Sequence, residues 1–188
     1  IDFHQGSSLV DTTLGDNASE LRRVRKCIDD IVARDGLELD SLVIVASCSP
    51  EGSYANNRRL SAARSQAVKD YIRDFVPEDW RDSLVASELP ENWEQLERLV
   101  ANDTVLGEAS RKRILAEISA DEDPDAVEAR ISRFSEYRYL REKVYPKLRS
   151  VSFDFHMHRI GMQKDTVHTT EVDTVYMAGV QAIRDMDY

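Results

Sequence analysis

The stretch SLVIVASCSPEGSYANNRRLSAARSQAVKDYI, residues 41–72, limits the possible folds more than any other part of the chain. SLVIVAS (41–47) is apolar without alternation, the pattern of a central strand covered on at least one face and flanked by others. A Pro-Glu-Gly turn follows, and Ser53 is placed to accept an early backbone N–H as a helix N-cap. Leu60, Ala63, Ala67, Tyr71 and Phe75 then recur at helical spacing, which predicts about five turns ending before Pro77. Asn57, Ser61, Arg64 and Val68 climb the adjoining side, so Arg64 is expected on the border between core and surface. A guanidinium there needs an acceptor, and its planar fork suits a carboxylate. Arg64 is then either salt-bridged or solvent-facing over a packed stem, or a clamp for a bound carboxylate.

Around this unit the chain alternates strands and helices. Residues 1–5 place Ile1 and Phe3 on one face and Asp2 and His4 on the other, a short half-buried strand. Asp16 or Asn17 caps a helix carrying Leu21, Val24, Cys27, Ile28, Ile31 and Val32, and SLVASEL (83–89) reads as a further strand. Residues 90–148 are helical and charged. Trp93, Leu96 and Val100 mark one helix, and Ile114, Leu115 and Ile118 a second. A third opens with Asp123 as N-cap and Pro124 at its first position, and continues through Val127, Ile131, Phe134, Tyr137 and Leu140. SVSFDFHMH (150–158) alternates strictly, with Val151, Phe153, Phe155 and Met157 on one face. The order predicts an α+β sandwich, with helices packed on one face of a mixed four-stranded sheet.

With 188 residues, 41% hydrophobic and 32% charged, the chain has the composition of a globular domain. A net charge of −10 argues against nucleic acid and anionic lipid as partners, since phosphate binding needs a basic surface. No apolar run approaches the roughly 20 residues of a membrane-spanning helix. The first residues already alternate like a strand, so any signal or anchor is expected outside the given chain. Cys27 and Cys48 are expected to be buried free thiols, and a disulfide between them stays open.

Gly52-Ser53, Asn57, Leu60-Ser61, Arg64, Val68 and Tyr71-Ile72, following a buried strand, stand at the spacing of the OmpA-like peptidoglycan-binding domain family. RSVSFDF resembles the Arg-Arg-hydrophobic start of that family's last strand. The resemblance covers residues 1–89 and about 146–160. It implies an OmpA-like domain over 1–160, of βαβαβ–(helical insertion)–β order, with the insertion at about 90–148. The domain would be a non-catalytic module that grips the diaminopimelate end of a peptidoglycan stem peptide and tethers the protein to the cell wall. It would lie in the periplasm of a Gram-negative cell, associated with the outer membrane, with no cofactor and no metal. In the family the arginine matching Arg64 pairs with the ligand carboxylate, while the positions of Asn57 and Leu60 shape the pocket beside Gly52.

One family feature is missing. The aspartate that takes the ligand ammonium falls on Ser49, which can accept a hydrogen bond but carries no charge. Losing that charge in a partly buried pocket costs on the order of 2–3 kcal/mol, roughly a hundredfold in affinity. Glu51 either supplies the charge from the other side of the turn or is a solvated turn residue. The alternative is therefore a degenerate OmpA-like domain, a protein-interaction or assembly module without a peptidoglycan ligand, whose inserted helices meet another envelope protein.

The remaining clusters point less far. His156 and His158 share a strand face, with His4 as a third metal ligand only if the first and last strands are neighbours. SADEDPD (119–125) lacks the glycine and final glutamate of a calcium loop and reads as helix capping. Trp93, Tyr137, Tyr139 and Tyr145 form either an aromatic patch or ordinary core. Residues 161–188 are expected to form an extension ending in an amphipathic helix (Val175, Tyr176, Gly179, Val180, Ile183), which either is similar to the first helix of a tetratricopeptide-like repeat or docks on this domain.

Overall fold

A computed structural model describes residues 1–160 apart from 5, 35 and 121; the expected tetratricopeptide-like helix lies outside the described residues. Helix α1 (Asn17–Val32) leads into strand β1 (Leu37–Ser47), and helix α2 (Tyr54–Arg73) is followed by a 3₁₀ turn (Glu78–Ser83) and strand β2 (Leu84–Leu89). Helices α3 (Trp93–Ala101), α4 (Glu108–Ile118) and α5 (Pro124–Ile131) come next. A run of short turns, Tyr137–Tyr139, Leu140–Val144 and Tyr145–Leu148, then delivers the chain to strand β3 (Val151–Arg159). The α+β class holds.

Among the described residues the sheet has three strands, in the order β2-β1-β3, and not the expected four. β1 pairs parallel with β2, Ile44 opposite Ala86, and antiparallel with β3, Ile44 opposite Phe153. β1 starts four residues earlier than its apolar run, because Leu37–Leu39 already pair with Met157–Arg159 across a bulge at Asp40.

The expected strand over residues 1–5 does not form among the described residues 1–4, where an Asn17 side chain pairs with the Asp2 backbone instead. Asn17 donates from Nδ2 to the Asp2 carbonyl at 2.9 Å and accepts from the Asp2 N–H at 2.6 Å, standing in for a neighbouring strand. The His4 carbonyl is used in the same way, by Ser7 N–H and by Arg64. Phe3 still reaches the core.

Two apolar clusters result. The first joins Ile28 of α1, Leu42 and Ile44 of β1, Val68 and Ile72 of α2 and Phe155 of β3. The second lies within residues 96–148, around Leu96, Ile114, Ile131, Leu140 and Tyr145. The single long helix expected after Asp123 is broken at Ser132. Beyond it the backbone passes through a π turn and then a 3₁₀ turn, which brings Leu140, Val144, Tyr145 and Leu148 all into the second cluster. Trp93, Tyr137 and Tyr139 pack against the same cluster, and Tyr137 meets Tyr145 edge-on at 6.2 Å, so these aromatics are core. No described helix is long and apolar enough to cross a membrane.

Ile44 is fully buried at the centre of the middle strand. Ile44→Ala is expected to lower the unfolding free energy by about 2–5 kcal/mol, read as a shift of the urea midpoint at unchanged slope.

Candidate functional site

The buried stripe of α2 differs from the expected one. Asn57, Ser61, Arg64, Val68 and Ile72 face inward, while Ala63 and Tyr71 are exposed and Leu60 is half-buried. The helix is thus turned by about one residue, near 100°, and carries the motif's polar residues into the interior. Its first turn is held from two directions. Ser53 accepts from the Asn56 N–H, and Asp125 of α5 accepts from the Tyr54 N–H at 2.7 Å. Gly52 stands at φ 101°, where a side chain is strained, and this permits the sharp entry into the helix.

Arg64 is 1% exposed. Nε donates to the Ser7 carbonyl at 2.9 Å, one terminal nitrogen to the His4 carbonyl at 3.2 Å and the other to Cys48 Sγ at 3.4 Å. The guanidinium stacks over the Phe3 ring at 4.8 Å. Burial pulls its pKa below the usual arginine range, and burial pushes the Cys48 thiol up. The expected placement at the core–surface border is therefore corrected: Arg64 is interior, and its donors are taken by main-chain oxygens and a thiol.

Of the other expected site residues, Ser49 and Asn57 are buried at the same turn and Glu51 is half-buried, while Gly52 is exposed and Leu60 is half-buried on the helix. Asn57 Nδ2 donates to the Ser49 carbonyl at 3.0 Å and to Glu91 Oε1 at 2.8 Å. Ser49 Oγ accepts from Arg149 Nε at 3.2 Å, and Arg149 also donates to Glu51 Oε1 at 2.8 Å. Arg141 Nε lies 3.7 Å from the other Glu51 oxygen. Glu51 is thus neither a solvated turn residue nor an outward-facing anion.

Glu91, Glu128 and Arg149, absent from the sequence-based site, complete a polar seam between the two apolar clusters. Glu91 is 5% exposed and accepts from Asn57 and from Trp93 Nε1 at 2.9 Å. Glu128, 7% exposed, accepts from the Tyr137 and Tyr145 hydroxyls, both at 2.7 Å. Burial is the largest influence on both carboxyls and raises their pKa, against the hydrogen bonds that lower it. A signal for Glu128 was present: it stands three residues before buried Ile131, on the helix's inner face. Arg149 opens the RSVSFDF segment, where neither alternation nor spacing marks a role for its side chain.

Cys27 is exposed rather than buried, and both cysteines are free. His158 lies 3.1 Å from Asp40 and 3.4 Å from Glu38, while His4 lies 3.3 Å from Asp11. Among the described residues no group of three or more His, Cys, Asp or Glu is placed to hold a metal ion. Asp123 caps α5 by accepting from the Ala126 N–H at 3.3 Å. Compared with models of known protein families the chain matches none, and no curated protein is a match.

Arg149→Met strips Glu51 of its nearest cation, and is expected to cost about 1–3 kcal/mol given the pair's partial exposure. Adding Glu51→Gln should recover part of that loss, and chemical denaturation of the two single variants and the double tests this coupling. The raised carboxyls set a pH trend. The folded state binds their protons more tightly than the unfolded chain, so their contribution is complete below the ordinary carboxylate range, about pH 4.3, and is lost as pH rises through the folded-state values. Glu128→Gln should therefore gain on the wild type as pH rises from about 4 to 8. A pH-independent difference in urea midpoint would refute the shift.

Proposed function

We propose that this chain is a non-catalytic interaction module of the Gram-negative cell envelope, built on the OmpA-like plan, with its ancestral ligand pocket filled from within. The inserted helices of residues 90–148 carry its partner surface, and the partner is another envelope protein on the periplasmic side of the outer membrane. The observation that carries this reading is the state of Arg64. An arginine clamp for an incoming carboxylate needs free, accessible donors, and here the guanidinium is buried with its nitrogens on Ser7, His4 and Cys48. The seam supports it further. Glu51, the nearest candidate to receive an ammonium group, is held by Arg149, and the inserted helices reach over the turn through Asp125, Glu128 and Arg141.

A second reading, non-covalent binding of a diaminopimelate-type peptidoglycan stem peptide, is favoured by one observation. Of the residues that the resemblance assigns to that pocket, Ser49, Glu51, Gly52, Asn57 and Arg64 lie around one turn, and Leu60 is half-buried on the helix beside them.

Calorimetry with meso-diaminopimelate and with a stem peptide separates the two. The wild type is expected to give no binding heat up to about 1 mM, an affinity limit near 4 kcal/mol. Ser49→Asp should not restore binding, because Arg149 would neutralise the new carboxylate. Wild-type binding that Arg64→Ala abolishes would replace this reading by the second. In cells, a photo-crosslinker at Lys112 or Arg133 on the inserted helices should capture an envelope protein, and one at Arg22 on α1 should not.

A further inference from the structure

We propose that the helical block of residues 90–148 is a pH-operated flap, closed over the turn at 48–53 in acid and released from it as the buried carboxyls of the seam ionise. Such a flap requires only the seam, whatever the block binds.

The block is built to move as one piece. Its apolar cluster is separate from that of the sheet layer, so each keeps its own core when the two part. The chain enters and leaves the block at neighbouring points. The Asn92 N–H bonds to the Cys48 carbonyl, and the Leu148 carbonyl accepts from Ser47 Oγ. Two connections side by side form a hinge. Beside it Glu91 accepts from Asn57 at 2.8 Å. Farther out, the Tyr54 N–H meets Asp125 at 2.7 Å and Arg141 lies 3.7 Å from Glu51.

The closed seam holds more acid than base. Glu91 and Glu128 are almost fully buried, and all four of their oxygens accept from neutral donors, namely Asn57 and Trp93 for the first and Tyr137 and Tyr145 for the second. Among the described residues neither carboxyl makes an ion pair. Within electrostatic reach of Glu91 are Asp125, Glu128 and the Cys48 thiol. Within reach of Glu128 are Glu51 and Arg141, besides its two tyrosines. Arg141 and Arg149 both lie on Glu51, and Arg64, on the far side of Cys48, is held by carbonyls. Ionising Glu91 and Glu128 therefore adds two negative charges where the nearby cations already have an anion.

Opening returns both carboxyls to water, so the closed state binds their protons more tightly than the open one. Closure is fully supported below the ordinary carboxylate range, about pH 4.3, and weakens as pH rises through the raised closed-state values. Opening does not free Arg64, whose carbonyl partners at Ser7 and His4 lie outside the block.

Amide exchange followed by NMR on the full chain tests the flap. From about pH 5 to 8 the protection factor of the Tyr54 N–H should fall about tenfold or more, while that of Ile44 in the middle strand stays unchanged. Glu128→Gln should reduce the fall, because its two hydroxyl partners can reverse their bonds to suit an amide. The double variant Glu91→Gln/Glu128→Gln should abolish it, and Glu97→Gln on the exposed side of α3 should leave it as in the wild type. Circular dichroism and the Ile44 protection verify folding of each variant, and if the double variant does not fold, Glu128→Gln alone decides. A Tyr54 protection that does not change with pH, or that falls together with that of Ile44, overturns the flap. A fall undiminished in the glutamine variants overturns the role given to the two carboxyls, and the proposal with it.

Discussion

The helical block is hung at both ends from the last residues of β1, and the rest of the arrangement follows from that attachment. Where the block begins, the Asn92 N–H donates to the Cys48 carbonyl at 3.3 Å. Where it ends, Ser47 Oγ donates to the Leu148 carbonyl at 2.6 Å, and the Ser47 N–H donates to the Ser150 carbonyl at 2.9 Å. An excursion of nearly sixty residues leaves and re-enters the sheet at one point. That point is the turn from which α2 starts, so the block lies over the very residues that a pocket at that turn would need.

The seam created there is polar, and it separates the two apolar clusters. Each buried charge has its own solution. Glu128 is solvated by two tyrosine hydroxyls, Glu91 by an amide and an indole, and Glu51 by Arg149. Arg64, on the other side of Cys48, is solvated by carbonyl dipoles and the Phe3 ring. Paired or hydrogen-bonded charges of this kind contribute little net stability over an apolar replacement, but they tolerate few alternative geometries. The seam therefore fixes the orientation of the helical block more than it adds to its stability.

Much of this was legible in the sequence where one periodicity dominates. The strict alternation of Val151, Phe153, Phe155 and Met157 located β3, and the unbroken run at 41–47 located the buried part of β1. The phase of α2 is obscured because Ala63 and Ala67 look apolar at core spacing, whereas the interior is built for Asn57, Ser61 and Arg64. Nothing local marks a serine or arginine as buried when its partners lie in distant segments. The break after Ile131 was hidden for a related reason: Phe134, Tyr137 and Leu140 keep helical spacing even though the backbone between them turns. The missing first strand depended on Asn17, whose side chain takes over bonds that periodicity assigns to a neighbouring strand.

The bond from the Tyr54 N–H to Asp125 spans 71 residues. At ribosomal rates of about 5–20 residues per second, that separation is roughly 4–14 s of synthesis. For that interval the nascent α2 has Ser53 alone to close its first turn, and the turn at 48–53 has none of its later partners on Glu128, Arg141 or Arg149. The first turn of α2 thus leaves the ribosome well before Asp125, the partner that later holds its first N–H.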